Sequence, residues 1–205
     1  SGFNGLVYPT LYDKETKIQG QNNDGEGVFF YNERRNILFR GKATVKNGLF
    51  EFEFVVPKDI IRDYGQGKLS LYAENGEYDA SGAYFHFTLG GLSDNPIVDE
   101  SGPQVELFMN NNKFVFGGMP NEDPDLYAEV WDENGVNMVG TGIGHDITAV
   151  LDENGANTIV LNDYYEADVD SYQSGKIRYP FNELEEGRHD LKLQVWDVNN
   201  NPSDA

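Results

Sequence analysis

Wherever hydrophobic and polar positions recur regularly along this chain, they alternate with a period of two. The clearest run is Phe50-Glu51-Phe52-Glu53-Phe54-Val55-Val56, with three phenylalanines on one face and two glutamates on the other. Pro57 ends it, having no N–H to give to a ladder. The pattern predicts a half-buried strand. Shorter runs predict strands at Gly5 to Leu11, Val28 to Tyr31, Ile37 to Val45, Lys68 to Ala73 and Tyr84 to Leu89. Turn chemistry separates them at Asn23-Asp24-Gly25, Asn47-Gly48, Gly65-Gln66-Gly67 and Asn75-Gly76, and Asn47-Gly48 is the strongest hairpin signal. From Gly90 to Pro103 alternation gives way to turn-favouring residues, and a domain boundary is expected there, dividing the chain into 1–98 and 99–205.

Strands resume at Gln104 to Met109, Leu126 to Trp131, Ile147 to Leu151, Thr158 to Leu161, Lys176 to Tyr179 and His189 to Val198. In the last, Leu191, Leu193 and Val195 face one side, so Trp196 falls on the other and requires partial cover of its own. No segment carries an apolar stripe of helical period over three turns; Pro57 to Arg62 suits one turn only. The expected fold is all-β, with two tandem immunoglobulin-like antiparallel β-sandwich domains. A single large barrel is the alternative, disfavoured because a closed barrel would carry its alternation through the middle of the chain.

Composition narrows the function classes. Hydrophobic residues make up 39% and aromatics 13%, enough apolar surface to offset the entropy of ordering the chain. Asp plus Glu number 35 against 15 Lys plus Arg, a net charge of −20 that repels phosphate backbones and anionic headgroups, so nucleic acid is not an expected partner. No apolar run has the length of a membrane-spanning helix, and the N-terminus reads as a cut through a longer protein, which leaves export of the parent open. With no cysteine, thiol catalysis, disulfides and thiolate metal sites are excluded within these residues.

An internal echo, Val130-Trp131-Asp132-Glu133-Asn134-Gly135-Val136-Asn137 against Val150-Leu151-Asp152-Glu153-Asn154-Gly155-Ala156-Asn157, reads as two hairpin turns with Asn left-handed and Gly completing a bulge. Of the three histidines, His86 is expected to line a sheet face, and His189 to be solvated at a strand start. His145 follows the glycine-rich Gly140-Thr141-Gly142-Ile143-Gly144 and precedes Asp146. A His-Asp pair is the makings of a general base, but no lysine, following helix or placed nucleophile accompanies it, and the plainer expectation is a loop ordered by Asp146 capping.

Asn22-Asn23-Asp24, Asp132-Glu133-Asn134, Asp163, Asp168-Val169-Asp170 and Asp197-Val198-Asn199-Asn200 are oxygen donors of the kind that interstrand loops gather around Ca²⁺. None fits the EF-hand pattern, and with 35 acids chance clustering is expected. Paired carboxylates for glycoside hydrolysis lack any spacing signal, so the acids read as solvated surface. Accordingly no catalytic, cofactor-binding or metal residue is assigned. Tyr164, Tyr165 and Tyr172 lie in the long connection Asn162 to Gly175, which has the composition of a carbohydrate or peptide platform.

Several runs resemble a known family. Gly142 to Asp152 (GIGHDITAVLD), Val160 to Asp168 (VLNDYYEAD), Ser171 to Gly175 (SYQSG) and Val195 to Asn201 (VWDVNNN) are similar to the region that follows the peptidase domain in PorU-type sortases, gingipain-related family C25 cysteine peptidases of the type IX secretion system. Val7-Tyr8-Pro9-Thr10, Asp13-Lys14, Asn22 to Gly25 and Ile37 to Ala43 resemble the segment before it, so the likeness spans essentially the whole chain. The resemblance implies a non-catalytic accessory region, since the family's Cys-His dyad lies upstream and a chain without cysteine cannot hold it. It further implies a cell-surface, outer-membrane parent that processes C-terminal sorting domains of secreted cargo. Implied partners are the parent's own peptidase domain, cargo sorting domains and secretion-system subunits. The alternative is a carbohydrate-binding or glycan-active sandwich of a bacterial surface glycan system, working through Tyr164 and Tyr172.

Overall fold

The computed structural model describes residues 2–23, 25, 27–138 and 144–205; Asp24 of the first predicted turn and Gly140 to Ile143 of the glycine-rich run lie outside them. The described residues form antiparallel sheets with two short 3₁₀ turns, the all-β class that the alternation predicts.

In the first half, β1 (Gly5–Tyr12) is central. Val7, Pro9 and Leu11 turn inward, as period two requires. On one side β1 pairs along nearly its whole length with β7 (Lys68–Glu74), which continues to β8 (Asp79–Tyr84). On the other it pairs with β4 (Ile37–Arg40) and then β5 (Ala43–Val45). The sequence predicts 37–45 as one strand. It breaks at Gly41 because the facing residue is Pro9, whose carbonyl accepts the Gly41 N–H at 3.1 Å but which has no N–H to return. Two ribbons complete this half: β2 (Thr16–Gln19) with β3 (Phe30–Glu33), and β6 (Gly65–Gln66) with β9 (Thr88–Leu89).

The hairpin turn at Asn47-Gly48 forms as expected, with both residues left-handed (φ 54° and 80°). The strand expected after it does not join a sheet: 50–56 runs extended with its phenylalanines on one side, but only Lys46 and Leu49 pair across the turn. That register would set Thr44 opposite Glu51 and Lys42 opposite Glu53. Asp170 from the second half takes both places. Its N–H donates to the Lys42 carbonyl at 2.9 Å, and its carboxylate accepts from the Thr44 N–H and Oγ1 at 2.6 Å each. Displaced from the ladder, the segment packs by side chain: the Phe39 ring stacks on Phe54 at 4.6 Å and Phe52 at 5.8 Å, over a cluster with buried Leu11 and Leu38. The splayed arms enclose a cleft of about 600 Å³.

The second half is a sandwich of two four-stranded sheets. One runs β10 (Gln104–Met109), β11 (Asp125–Trp131), β15 (Ser174–Pro180), β14 (Tyr165–Ala167). The other runs β13 (Ile159–Val160), β12 (Thr148–Leu151), β16 (Leu191–Trp196), β17 (Pro202–Asp204). Leu126, Ala128, Val130 and Ile177 from the first sheet meet Ala149, Leu193 and Val195 from the second in one buried core. Trp196 faces away from it, as alternation requires, and is covered by the His145 ring at 4.5 Å. Among the described residues each sheet draws its strands from one side of residue 98, and Lys42 with Val169 forms an isolated bridge across.

Candidate metal centre at the junction

The two members of the internal echo fold differently. Neither Asn134 nor Asn154 is left-handed; the left-handed residues are Gly135 in the first turn, and Asp152 and Glu153 in the second. In the second turn Asp152 points outward, accepting from the Asp190 N–H at 2.9 Å and meeting His189 Nδ1 at 2.8 Å. In the first, Asp132 turns inward and its Oδ1 accepts from the Asn134 and Gly135 N–H groups at 2.8 and 2.9 Å. Turns of this kind arise because a short carboxylate can bond the backbone two and three residues on.

Asp132 follows β11 and Asp197 follows β16, strands of opposite sheets that finish at the same end of the sandwich. The Asn137 N–H donates to the Trp196 carbonyl and the Val198 N–H to the Gly135 carbonyl, which draws the two loops together. Asp197 Oδ1 accepts from the Asn199 and Asn201 N–H groups at 2.9 and 2.6 Å, and Oδ2 from Asn201 Nδ2 at 2.8 Å. Asp99 arrives from the connection before β10. Its carboxylate accepts from the Ser101 N–H at 2.9 Å and Asn134 Nδ2 at 2.7 Å, while its carbonyl accepts from Asn201 Nδ2 at 3.0 Å.

One oxygen from each of Asp99, Asp132 and Asp197 lies within 4.8 Å of the others, with Asp132 and Asp197 buried. Among the described residues no Lys, Arg or His forms an ion pair with any of them. Burial pushes the Asp132 carboxyl up to about 6, against the pull of the Asn134 and Gly135 amides and with added repulsion from Asp197 and Asp99. Burial likewise raises Asp197, whereas the Ser101 N–H leads the groups that lower Asp99. The donors are all oxygen, the chemistry of a hard divalent cation.

Of the donors expected from sequence, Asp132, Asp197 and Asn199 gather here, Asn134 holds Asp99, and the others disperse. Asp163 pairs with Arg40 at 3.4 Å, Asp168 with Lys176 at 3.3 Å, and Asp170 holds Thr44. Asn22 and Asn23 are exposed, and Asp24 lies outside the described residues. Asp99 escapes sequence reading because it sits in the stretch taken as linker; the only local signal is its Asx turn to Ser101.

The histidine expectations need correction. His145 does not use Asp146: its Nδ1 lies 2.7 Å from Asp59 Oδ2, and Asp59 also accepts from Asn137 Nδ2 at 3.1 Å and Asn200 Nδ2 at 2.9 Å. Asp59, from the turn after Pro57, thereby grips three segments of the second half. Asp146 Oδ1 is buried without a hydrogen bond among the described residues, so it does not cap the loop through that oxygen, and burial raises its pKa. His86 is exposed beyond the end of β8 rather than on a sheet face. His189 is not simply solvated but holds Asp152 and the Glu185 carbonyl. Nor do the tyrosines form one platform: Tyr172 packs against the Phe39 cluster, Tyr165 is buried in the sandwich core, and Tyr164 lies edge-on to Tyr179 at 4.9 Å.

Comparison with solved structures finds the crystal structure of dimeric latent PorU from Porphyromonas gingivalis, with a TM-score of 0.51 and 33% sequence identity. The match covers 99% of this chain and 19% of that one, so the chain spans about a fifth of the protein it resembles. No family model matches the chain, and no curated protein matches it. What the chain is similar to, over nearly its whole length, is therefore one strand-built stretch of a much larger protein.

Proposed function

We propose that this chain is a non-catalytic region of a PorU-like sortase of the type IX secretion system. It supports a peptidase domain carried elsewhere in the same polypeptide and meets cargo sorting domains or secretion-system subunits at the cell surface. The observation that carries this reading is the 33% identity to PorU over 99% of the chain, at a fold similarity that covers only 19% of that protein. In this reading residues 1–98 and 99–205 are consecutive modules, the second immunoglobulin-like in its two facing sheets.

Exposed apolar side chains supply the contact surface. Phe116 and Met119 are each 97% exposed on the loop between β10 and β11, with Val115 beside them. Apolar groups left this open on a chain of net charge −20 suit a partner rather than water. Biolayer interferometry of the 205-residue chain against a type IX cargo C-terminal domain tests the reading. Saturable binding is expected, weakened at least about tenfold, or about 1.4 kcal/mol, by Phe116→Ser with Met119→Ser and unaccompanied by peptide cleavage. Binding no stronger than to an unrelated acidic sandwich, or hydrolysis of the cargo domain by this chain alone, would contradict it.

A further inference from the structure

We infer that Asp99, Asp132, Asp197 and Asn199 form a site for one calcium ion at the end of the second-half sandwich. The inference does not rest on the kinship with PorU. Three acids alone would not carry it, because a chain with 35 carboxylates brings some together by chance. Asn199 decides the matter. The residue is 7% exposed, and its Nδ2 is fully buried and makes no well-formed hydrogen bond, only a weak one toward the Asp99 carboxylate that helps lower it. Buried amide nitrogens are seldom left unbonded. Rotation about the terminal bond exchanges Nδ2 for Oδ1 without steric change, at the cost of that one weak contact to Asp99. An amide oxygen turned toward the Asp99 carboxylate is repelled when nothing lies between them; with a divalent cation there it becomes a fourth ligand.

The donor set selects the ion. It contains no sulfur and no imidazole, which disfavours zinc and copper. Acid oxygens within 4.8 Å of one another come, with small side-chain adjustment, within the roughly 2.3–2.6 Å ligand distance of a central calcium ion. Magnesium demands shorter, near-octahedral bonds and keeps its waters, conditions that short loops carrying four protein donors do not meet. Lys58 Nζ occupies the Asn199 carbonyl at 3.0 Å, so that oxygen is outside the set. Calcium here relieves the repulsion between buried Asp132 and Asp197 and ties the connection at Asp99 to both loops.

The test is calorimetric titration of CaCl₂ into the chelator-stripped 205-residue chain in about 0.15 M salt, where screening suppresses diffuse binding to surface acids. One saturable site per chain is expected, with a rise in Tm on loading. Asp99→Asn, at a half-buried position that tolerates the change, and Asn199→Ala are each expected to weaken binding by roughly 10- to 100-fold. Asp163→Asn, on a carboxylate 87% exposed, is expected to leave it unchanged. The assignment is overturned by no saturable binding up to about 10 mM, beyond the weak end of calcium modules. Unchanged affinity in both Asp99→Asn and Asn199→Ala, or magnesium binding as tight as calcium, overturns it equally.

Discussion

At the scale of single residues, the direction in which a carboxylate turns decides what it does. Asp132 and Asp152 occupy equivalent places in the echo, yet one is buried facing two other acids and the other is exposed facing a histidine. The Asp152 pair has a definite pH signature. His189 is raised above its ordinary 6.5, led by its bond to the Glu185 carbonyl and then by Asp152, so its share of stability is complete below 6.5 and lost as pH climbs through the raised value. Asp152 is lowered below its ordinary 3.8, led by the His189 bond, so its share is present above 3.8 and lost as pH falls through the lowered value. Both shares are present between about pH 4 and 6.5. The Tm difference between the native chain and His189→Asn is expected to peak in that window and shrink toward pH 9; a difference constant across the range would contradict the pairing. Sequence reading named Asp132 and Asp197 as donors because each lies in an interstrand loop, where sandwiches gather carboxylates around Ca²⁺. It missed Asp59 and Asp99, whose partners lie 78 and 35 residues away at Asn137 and Asn134, and no local pattern encodes such a return.

Among elements, alternation proves a good guide to which side a residue faces and a poorer one to whether its backbone is paired. Phe50, Phe52 and Phe54 do share a face, and the 6.4 Å between successive rings is two residues of extended chain. Their ladder is missing because Asp170 occupies the β5 edge, an event set by residues more than 100 positions downstream and invisible in the local pattern. The break of 37–45 was more legible, since Pro9 already stood in the facing strand. Gly41 is the residue that the break requires. A Cβ there would lie 2.4 Å from the Phe39 ring, which its stack with Phe52 and Phe54 holds in place. Gly41→Ala is therefore expected to destabilise by about 1–3 kcal/mol in urea unfolding with an unchanged m-value, as overpacking does. A loss under about 0.5 kcal/mol would show that the stack yields freely.

Over the whole molecule, the two halves are joined by polar brackets rather than a shared sheet. Asp59 reaches from the first half to Asn137, His145 and Asn200; Asp170 reaches back from the second to Lys42 and Thr44; the Lys58 N–H donates to the Val198 carbonyl at 2.9 Å. The all-β class was legible from period-two patterning, while these joints were not, because they consist of single side chains and isolated backbone bonds meeting across the fold. The proposed role, support for chemistry performed elsewhere in a polypeptide, requires that the chain not come apart at such a joint. The chain's two tryptophans, Trp131 and Trp196, both lie in the second half, so their fluorescence reports that half, whereas far-UV circular dichroism reports both. Urea unfolding followed by the two signals together tests the coupling directly. Coincident midpoints are expected for the native chain, separating in the double variant Asp59→Ala with Asp170→Ala; separate midpoints in the native chain would mean that the halves are not locked.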